Sequence, residues 1–568
     1  MKNVIFVISA LMLVTDLFAQ TIPFQYGWPR QASDDWGLYY NSPTIADLDK
    51  DGYLDISLTK SFATPELFAW KRNGAYVSGF PKSLSPGNLQ NSGSIEISAA
   101  GDVDGDSYPE LVFGDENGQL FVFKHNGQMV TGTPIMLGGT KETSTPALVD
   151  LDGDGILEII ITSCERDSPN DDAQLHVFKW TGTGFGNFNS NFPVSFLYGS
   201  DAGPVAGDIN DDGIMEIVYI ESGRQSDSTI AKMQVIDVSG KPLNGFPIEI
   251  AYTSVGSTPA LYDLDKDGKL EIIIRIKPIK TEINGIYAYN YEGELLEHFP
   301  FPIESGHPFA GPAIADMDGD GNVEIAFGSV LAVDSGKVWT WKLNGDLLPQ
   351  YPKKVFATWV DGAVAMADVD GDTLPDVIAP TNDGTIFAFN HLGNLCPGFP
   401  LSAENVYVVL GFETCPSVAD IDGDGDVEIF AGSLNKRVYG WDTPGIISDN
   451  IWSTYKGNAQ RSGGQLKGYH PTNVREDEIA ANNFQVLENY PNPFNPSTNI
   501  KYQIGESGPV QLKVFDVLGN EVETLVNEYK VAGVYTIPFS TNQSSSGVYI
   551  AQLIYRDKVN SIKMILIK

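Results

Sequence analysis

Short apolar runs separated by polar turns fill most of the chain, and their spacing is that of strands. In eight segments large apolar residues recur at every second position: LFAWKRNG, LFVFKHNG, LHVFKWTG, MQVIDVSG, IYAYNYEG, VWTWKLNG, IFAFNHLG and VYGWDTPG. Period-two alternation closed by Asn-Gly or a similar turn predicts a strand with one face buried. Upstream of each lie a small-residue segment (SPTIAD, STPALVD, AGPAIAD) and an apolar run (LDISL, LEIIIT, VEIFAG). Downstream, a fourth element opens on a residue before proline, at Gly27, Gly79, Gly132, Asn191, Gly245, His298, Gln350 and Gly398. Proline cannot donate to a ladder, so this element predicts the edge strand of each unit. Four antiparallel strands repeated eight times predict an all-β fold, an eight-bladed β-propeller with seven blades as the alternative. The first such proline motif precedes every other element, and the last unit ends without one. Residues near Phe24 to Gln31 are therefore expected to complete the last blade and remove the open sheet edges.

Between the first two strands of each unit the chain writes D-x-D-x-D-G-x-x-E, as in DMDGDGNVE from Asp316 to Glu324. The carboxylates, or their replacements, are Asp47, Asp49, Asp51 and Asp55; Asp102, Asp104, Asp106 and Glu110; Asp150, Asp152, Asp154 and Glu158; Asp208, Asn210, Asp212 and Glu216; Asp263, Asp265, Asp267 and Glu271; Asp316, Asp318, Asp320 and Glu324; Asp368, Asp370, Asp372 and Asp376; and Asp420, Asp422, Asp424 and Glu428. Oxygens at alternate positions curl around one hard cation, and glycine at the sixth position permits the positive φ that closes the turn. Calcium fits best, up to one per blade. Magnesium, which keeps its waters, comes second. An EF-hand would need Glu at position twelve and flanking helices, whereas that position is held by Leu58, Phe113, Ile161, Tyr219, Ile274, Phe327, Ala379 and Ala431, all in apolar runs.

The net charge of -37 follows from this inventory, since 31 of the 73 acidic residues fall at these positions. Eight dications would offset sixteen of those charges. The remaining acidity argues against nucleic acid or an anionic membrane as partner.

These repeats resemble the FG-GAP or VCBS calcium-binding propeller repeats, related to those of integrin alpha chains. Phe113-Gly114 and Phe327-Gly328 match the FG element, and Ala202-Gly203-Pro204 and Ala310-Gly311-Pro312 fall where that family has its Gly-Ala-Pro element. The similarity spans about residues 24 to 445. Ser107 and Thr373 replace the loop glycine, so the second and seventh sites are expected to be weaker.

At the N-terminus, MKNVIFVISALMLVTDLFAQ has a basic start, a short apolar run and a small residue before Gln20, which predicts a signal peptide (1–19) cut after Ala19. The propeller is expected over 20–464, and its last stretch, IWSTYKGNAQRSGG, either packs against the ring or leads away from it. Residues 465–483 are polar and mixed in charge, which predicts a linker. From 484 to 568, alternating apolar runs predict a small immunoglobulin-like β-sandwich. This domain resembles the type IX secretion C-terminal sorting domain, type A, through Tyr490 to Thr498, Val514 to Val522, Gly547 to Leu553 and Lys563 to Lys568. The resemblance implies recognition by the type IX secretion machinery, export across the outer membrane and removal of the domain, leaving the protein surface-bound or released.

Cys164, Cys396 and Cys415 lie too far apart in the propeller frame for a disulfide. The sequence shows no Cys-His zinc pattern and no nucleophile or phosphate-loop motif, and five of the six histidines fall on strands, turns or the linker. The face opposite the acidic loops is expected to carry Trp36, Tyr39, Tyr40, Tyr198, Tyr252, His307, Trp359, Asp361, Phe412 and Glu413. Aromatics among acids suit glycan or protein recognition. The sequence thus favours a secreted or cell-surface binding or adhesion module. The alternative is an extracellular polysaccharide-degrading enzyme of rhamnogalacturonan-lyase-like architecture, for which Arg224, Arg275, Lys277 and Lys280 offer cations but no paired base.

Overall fold

Three-residue strands of small or apolar side chains form the centre of the N-terminal unit: Thr44–Ala46, Ala99–Gly101, Ala147–Val149, Val205–Gly207, Ala260–Tyr262, Ala313–Ala315, Ala365–Ala367 and Ser417–Ala419. Small residues are required because many strands converge there. In a computed structural model, residues 22–464 and 485–567 are described, apart from 33–40, 61–65, 85–96, 139–140, 166–172, 197–198, 200–201, 223–229, 255–256, 279–282, 305–310, 333–334, 357–358, 361, 404–410, 413, 449, 491, 493, 505–507, 517–519, 531–532, 541–545 and 556–557. The chain divides into two compact units, Met1–Asn473 and Val474–Lys568. The expected signal peptide and linker lie outside the described residues.

Each inner strand pairs antiparallel with a longer second strand that begins at the ninth loop position, or two residues earlier, at Asp426, in the last repeat. Ala46 pairs with Asp55, Gly101 with Glu110 and Ala315 with Glu324. The third strands carry the alternating aromatics, and the proline motifs open the fourth. Six sheets carry one acidic loop each, and an eight-stranded sheet carries two, because Ile248–Ser254 pairs with Glu271–Pro278 of the following repeat. The inner strand Thr44–Ala46 neighbours both Ala99–Gly101 and Ser417–Ala419, so the series closes on itself. Closure is completed by Arg30–Gln31, which pairs with Arg437 and Val438 at the end of the series.

The proline motifs also fasten neighbours together. All eight X–Pro bonds are cis. Gly79 and Gly245 have φ of 93° and 88°, and a Cβ there would meet the backbone oxygens of Asn126 and Glu292 at 1.9 Å, on the turn of the next repeat. His298 and Gln350 hold the same position with positive φ.

The axis is filled by the chain itself. After the last third strand, residues 450–464 run past the inner strands, and this resolves the two sequence options in favour of packing, in the centre rather than on a face. Asn450 bonds the backbone of Asp316 at both ends of its amide (2.9 and 2.7 Å). Trp452 exchanges backbone bonds with Met366, and the carbonyls of Ser453, Ala459, Gln460, Ser462 and Gly463 accept from Val418, Ala100, Leu148, Ala206 and Leu261. Arg461 is wholly buried and Lys456 nearly so. Lys456 Nζ donates to the carbonyls of Thr145 and Pro204 at 3.0 and 2.9 Å.

The C-terminal unit is a two-sheet β fold with strand orders, by residue, 485–490, 497–504, 533–540 and 521–530, 508–516, 547–555, 558–566. Alternation places Val510, Leu512 and Val514 against Tyr549, Ala551 and Leu553 in one core with Ile500, Tyr502, Phe539 and Met564.

Candidate metal centre

One geometry recurs in all eight acidic loops. The first Asp accepts the amide of the sixth residue at 2.8–3.1 Å, from Gly52, Ser107, Gly155, Gly213, Gly268, Gly321, Thr373 and Gly425. The ninth carboxylate accepts the amide of the second residue at 2.7–3.0 Å. The fifth residue accepts the amide of the seventh. The loop backbone thus aims carboxylates inward using part of their own capacity, and other oxygens stay free for a cation. Asp49 Oδ1, Glu110 Oε1, Asp263 Oδ1 and Asp422 Oδ1 are buried without a hydrogen-bond partner. A buried anionic oxygen with no donor is costly unless a cation sits beside it, so the residues fit a hard dication.

Ser107 and Thr373 adopt φ of 73° and 76°, the conformation of the glycines at the sixth position elsewhere. The fourth position shares this backbone state in every loop, for example Lys50, Asp211 and Lys266 at 56°, 57° and 63°. The sequence pattern missed that second requirement, because non-glycine residues meet it three times. Ser107→Gly is expected to stabilise the protein by about 1 kcal/mol by relieving the left-handed backbone, a gain that urea denaturation would register and whose absence would show the strain to be relaxed.

Burial separates the ninth position from the rest. Desolvation, only partly offset by the backbone hydrogen bond, pushes Asp55, Glu110 and Glu158 up to about 8 and Glu216, Glu271 and Glu324 to about 7. Asp376 rises to about 8 for the same reason, and Glu428, beside Asp426, is raised as well.

A lysine at the end of the third strand places its ammonium against the carboxylates of four loops. Lys71 Nζ lies 2.7 Å from both Asp49 and Asp51, Lys124 Nζ 2.6 Å from both Asp104 and Asp106, and Lys342 Nζ 2.5 and 2.9 Å from Asp318 and Asp320. Lys179 reaches Asp152 at 3.0 Å. The other repeats have Asp237, Asn290, Asn390 and Asp442 there. Asp237 faces Glu216 across the ladder and Asp442 faces Glu428. Like charges directly opposite are unfavourable without a counter-ion.

Of the expected ligand face, Trp36, Tyr39, Tyr40, Tyr198, His307, Asp361 and Glu413 lie outside the described residues. Trp359 is half-buried, with its indole N–H buried and lacking a partner. Phe412 corrects the expectation: it is fully buried against Tyr439 and Trp441 because the turn before the last inner strand folds into the core. His176 is structural, 3.0 Å from Ser163 Oγ. Cys164, Cys396 and Cys415 form no disulfide. No described helix is long and apolar enough to cross a membrane.

Two stretches match known families: residues 102–161 the FG-GAP-like repeat, and residues 488–568 the secretion system C-terminal sorting domain. No curated protein matches the chain. Among solved structures, quinohemoprotein alcohol dehydrogenase from Comamonas testosteroni is similar at TM-score 0.50 and 11% identity, over 76% of this chain and 78% of that one. BamB from Moraxella catarrhalis is similar at TM-score 0.40 and 13% identity, over 71% and 99%. PorZ, a surface component of the type IX secretion system of Porphyromonas gingivalis, is similar at TM-score 0.34 and 12% identity, over 93% of this chain and 59% of that one. The first likeness bears on fold alone, which is that of a β-propeller. The sorting domain marks the chain for export to the cell surface or the extracellular space through the type IX machinery.

Proposed function

We propose that the exported chain is a calcium-stabilised, eight-bladed propeller that binds a glycan or protein ligand without transforming it. The observation that carries this reading is the filled axis: residues 450–464 occupy the centre of the ring, where a propeller would otherwise offer a deep pocket for chemistry. Recognition is left to the rims and sides. One open groove of about 360 Å³, lined by Glu249, Ile250, Ile276, Ile283, Tyr287, Tyr289 and Pro300, offers an acid beside stacked tyrosines, a combination that suits sugar faces and their hydroxyls.

Calcium would be held by the acidic loops, with the strongest demand among the four that lack the third-strand lysine, such as those beginning at Asp208 and Asp420. Where Lys71, Lys124, Lys179 or Lys342 already supplies positive charge, the metal must displace an ammonium, which lowers its affinity. A glycan array probed with the calcium-loaded chain, with any hit assayed for unsaturated sugar products, tests the reading. Binding without cleavage is expected. Accumulation of unsaturated ends would instead establish a lyase.

A further inference from the structure

The seventh repeat combines several substitutions that other repeats carry singly, and adds a sulfur. Thr373 occupies the glycine position, the shorter Asp376 replaces Glu at the ninth, and Asn390 stands where four repeats place lysine. In addition, Cys396 follows the third strand, its amide fixed on the Ala388 carbonyl at 3.0 Å. Ligand atoms of Asp370, Asp376 and Cys396 all lie within 4.8 Å of one another. Asp376 is 1% exposed and Cys396 2%. Asp376 Oδ2 accepts the Val369 amide at 3.0 Å, while its Oδ1 is buried and the carboxyl has no further hydrogen-bond partner than the Cys396 thiol beside it. On the adjoining turn, His391 lies within electrostatic reach of Asp370, whose carboxyl burial holds above the usual range, and His391 Nδ1 is buried without a hydrogen-bond partner.

A thiol is a poor ligand for calcium, which prefers six to eight oxygens. A thiolate with two carboxylates is instead a set for a borderline-soft dication that accepts four ligands. We propose that the seventh loop is a zinc-class site in which Cys396, Asp370 and Asp376 supply three ligands, with His391 or water completing the shell. Binding exchanges the Cys396 thiol proton for the metal: the S–H bond breaks, the S–metal bond forms, the proton passes to solvent, and no electron moves. The inference stands apart from the calcium reading of the other loops, since it rests on sulfur and on a different metal preference.

Cobalt(II) is the probe, because a cobalt–thiolate bond gives an intense near-ultraviolet charge-transfer band that oxygen ligation lacks. Metal-stripped full chain titrated with cobalt is expected to develop this band at about one equivalent, to keep it in excess calcium, and to lose it on adding zinc. Cys164→Ser should retain the band. Cys396→Ser should abolish it, and Asp370→Asn, which leaves the thiol in place, should weaken cobalt binding at least ~10-fold. Melting curves in calcium show whether each variant is folded. Absence of the band in the folded parent, its persistence in Cys396→Ser, or its loss to excess calcium would each overturn the proposal.

Discussion

Arg461→Ala is expected to be the most damaging single substitution outside the sheets. The guanidinium is fully buried and makes five hydrogen bonds: Nε to Ser98 O at 3.2 Å, Nη1 to Thr454 Oγ1 and Tyr455 O at 2.8 and 2.7 Å, and Nη2 to Pro43 O and Thr44 Oγ1 at 2.9 and 3.0 Å. Pro43 and Ser98 lie at the starts of two neighbouring inner strands, so one side chain ties the axial segment to both. Alanine would remove these charge-assisted hydrogen bonds, each worth roughly 1.5–3 kcal/mol, and would leave a cavity besides, although Ser98 O and Pro43 O keep donors in the hydroxyls of Thr44 and Ser417. A loss of about 4 kcal/mol or more is expected, read as a fall in the urea midpoint. Arg461→Lys should recover only part of it, because an ammonium cannot span the same acceptors. A midpoint within ~0.5 kcal/mol of the parent would mean that the axial segment is dispensable.

Strand pattern, acidic loops and ring closure were all legible in the sequence because each is local and repeated. Period two in LFAWKRNG and its counterparts specifies strands without any knowledge of neighbours, and the proline motif before the first loop predicted the pairing of Arg30 and Gln31 with the end of the series. The axial segment was not legible. IWSTYKGNAQRSGG has neither strand nor helix period, since its backbone bonds one inner strand after another, and the buried Lys456 and Arg461 read in sequence as surface charges. The same limit applies to Phe412, whose burial depends on Tyr439 and Trp441 far along the chain. Lys71, Lys124 and Lys342 could have been flagged, since each follows the last aromatic of a third strand at a fixed offset from the loop. The ladder sets each of them opposite the ninth carboxylate, and only the folded side chains show that the ammonium reaches the third and fifth.

The acidic loops should make stability depend on pH in opposite senses with and without metal. In the metal-free protein seven of the eight ninth carboxylates have folded pKa values of about 7 to 8, above the 3.8 and 4.5 of ordinary Asp and Glu, because burial disfavours their charge. The folded state therefore holds protons that the unfolded chain releases between about pH 4.5 and 8. Stability from this source is full below that window and is lost as pH rises through it. With calcium bound the carboxylates must be charged, protons compete with the metal, and stability is lost on acidification instead. In EDTA the melting temperature should thus be higher at pH 5 than at pH 8, by ~5 °C or more, and in millimolar calcium the order should reverse. General charge repulsion in so acidic a chain also relaxes at low pH, so one substitution isolates the loops. Glu324→Gln mimics the protonated side chain and can keep the bond from the Met317 amide. It should raise the melting temperature in EDTA at pH 8 and lower it in calcium at the same pH, each by ~2 °C. If Glu324→Gln shifts both curves in the same direction, the ninth carboxylate does not face a bound cation and the loops are turns that merely happen to be acidic.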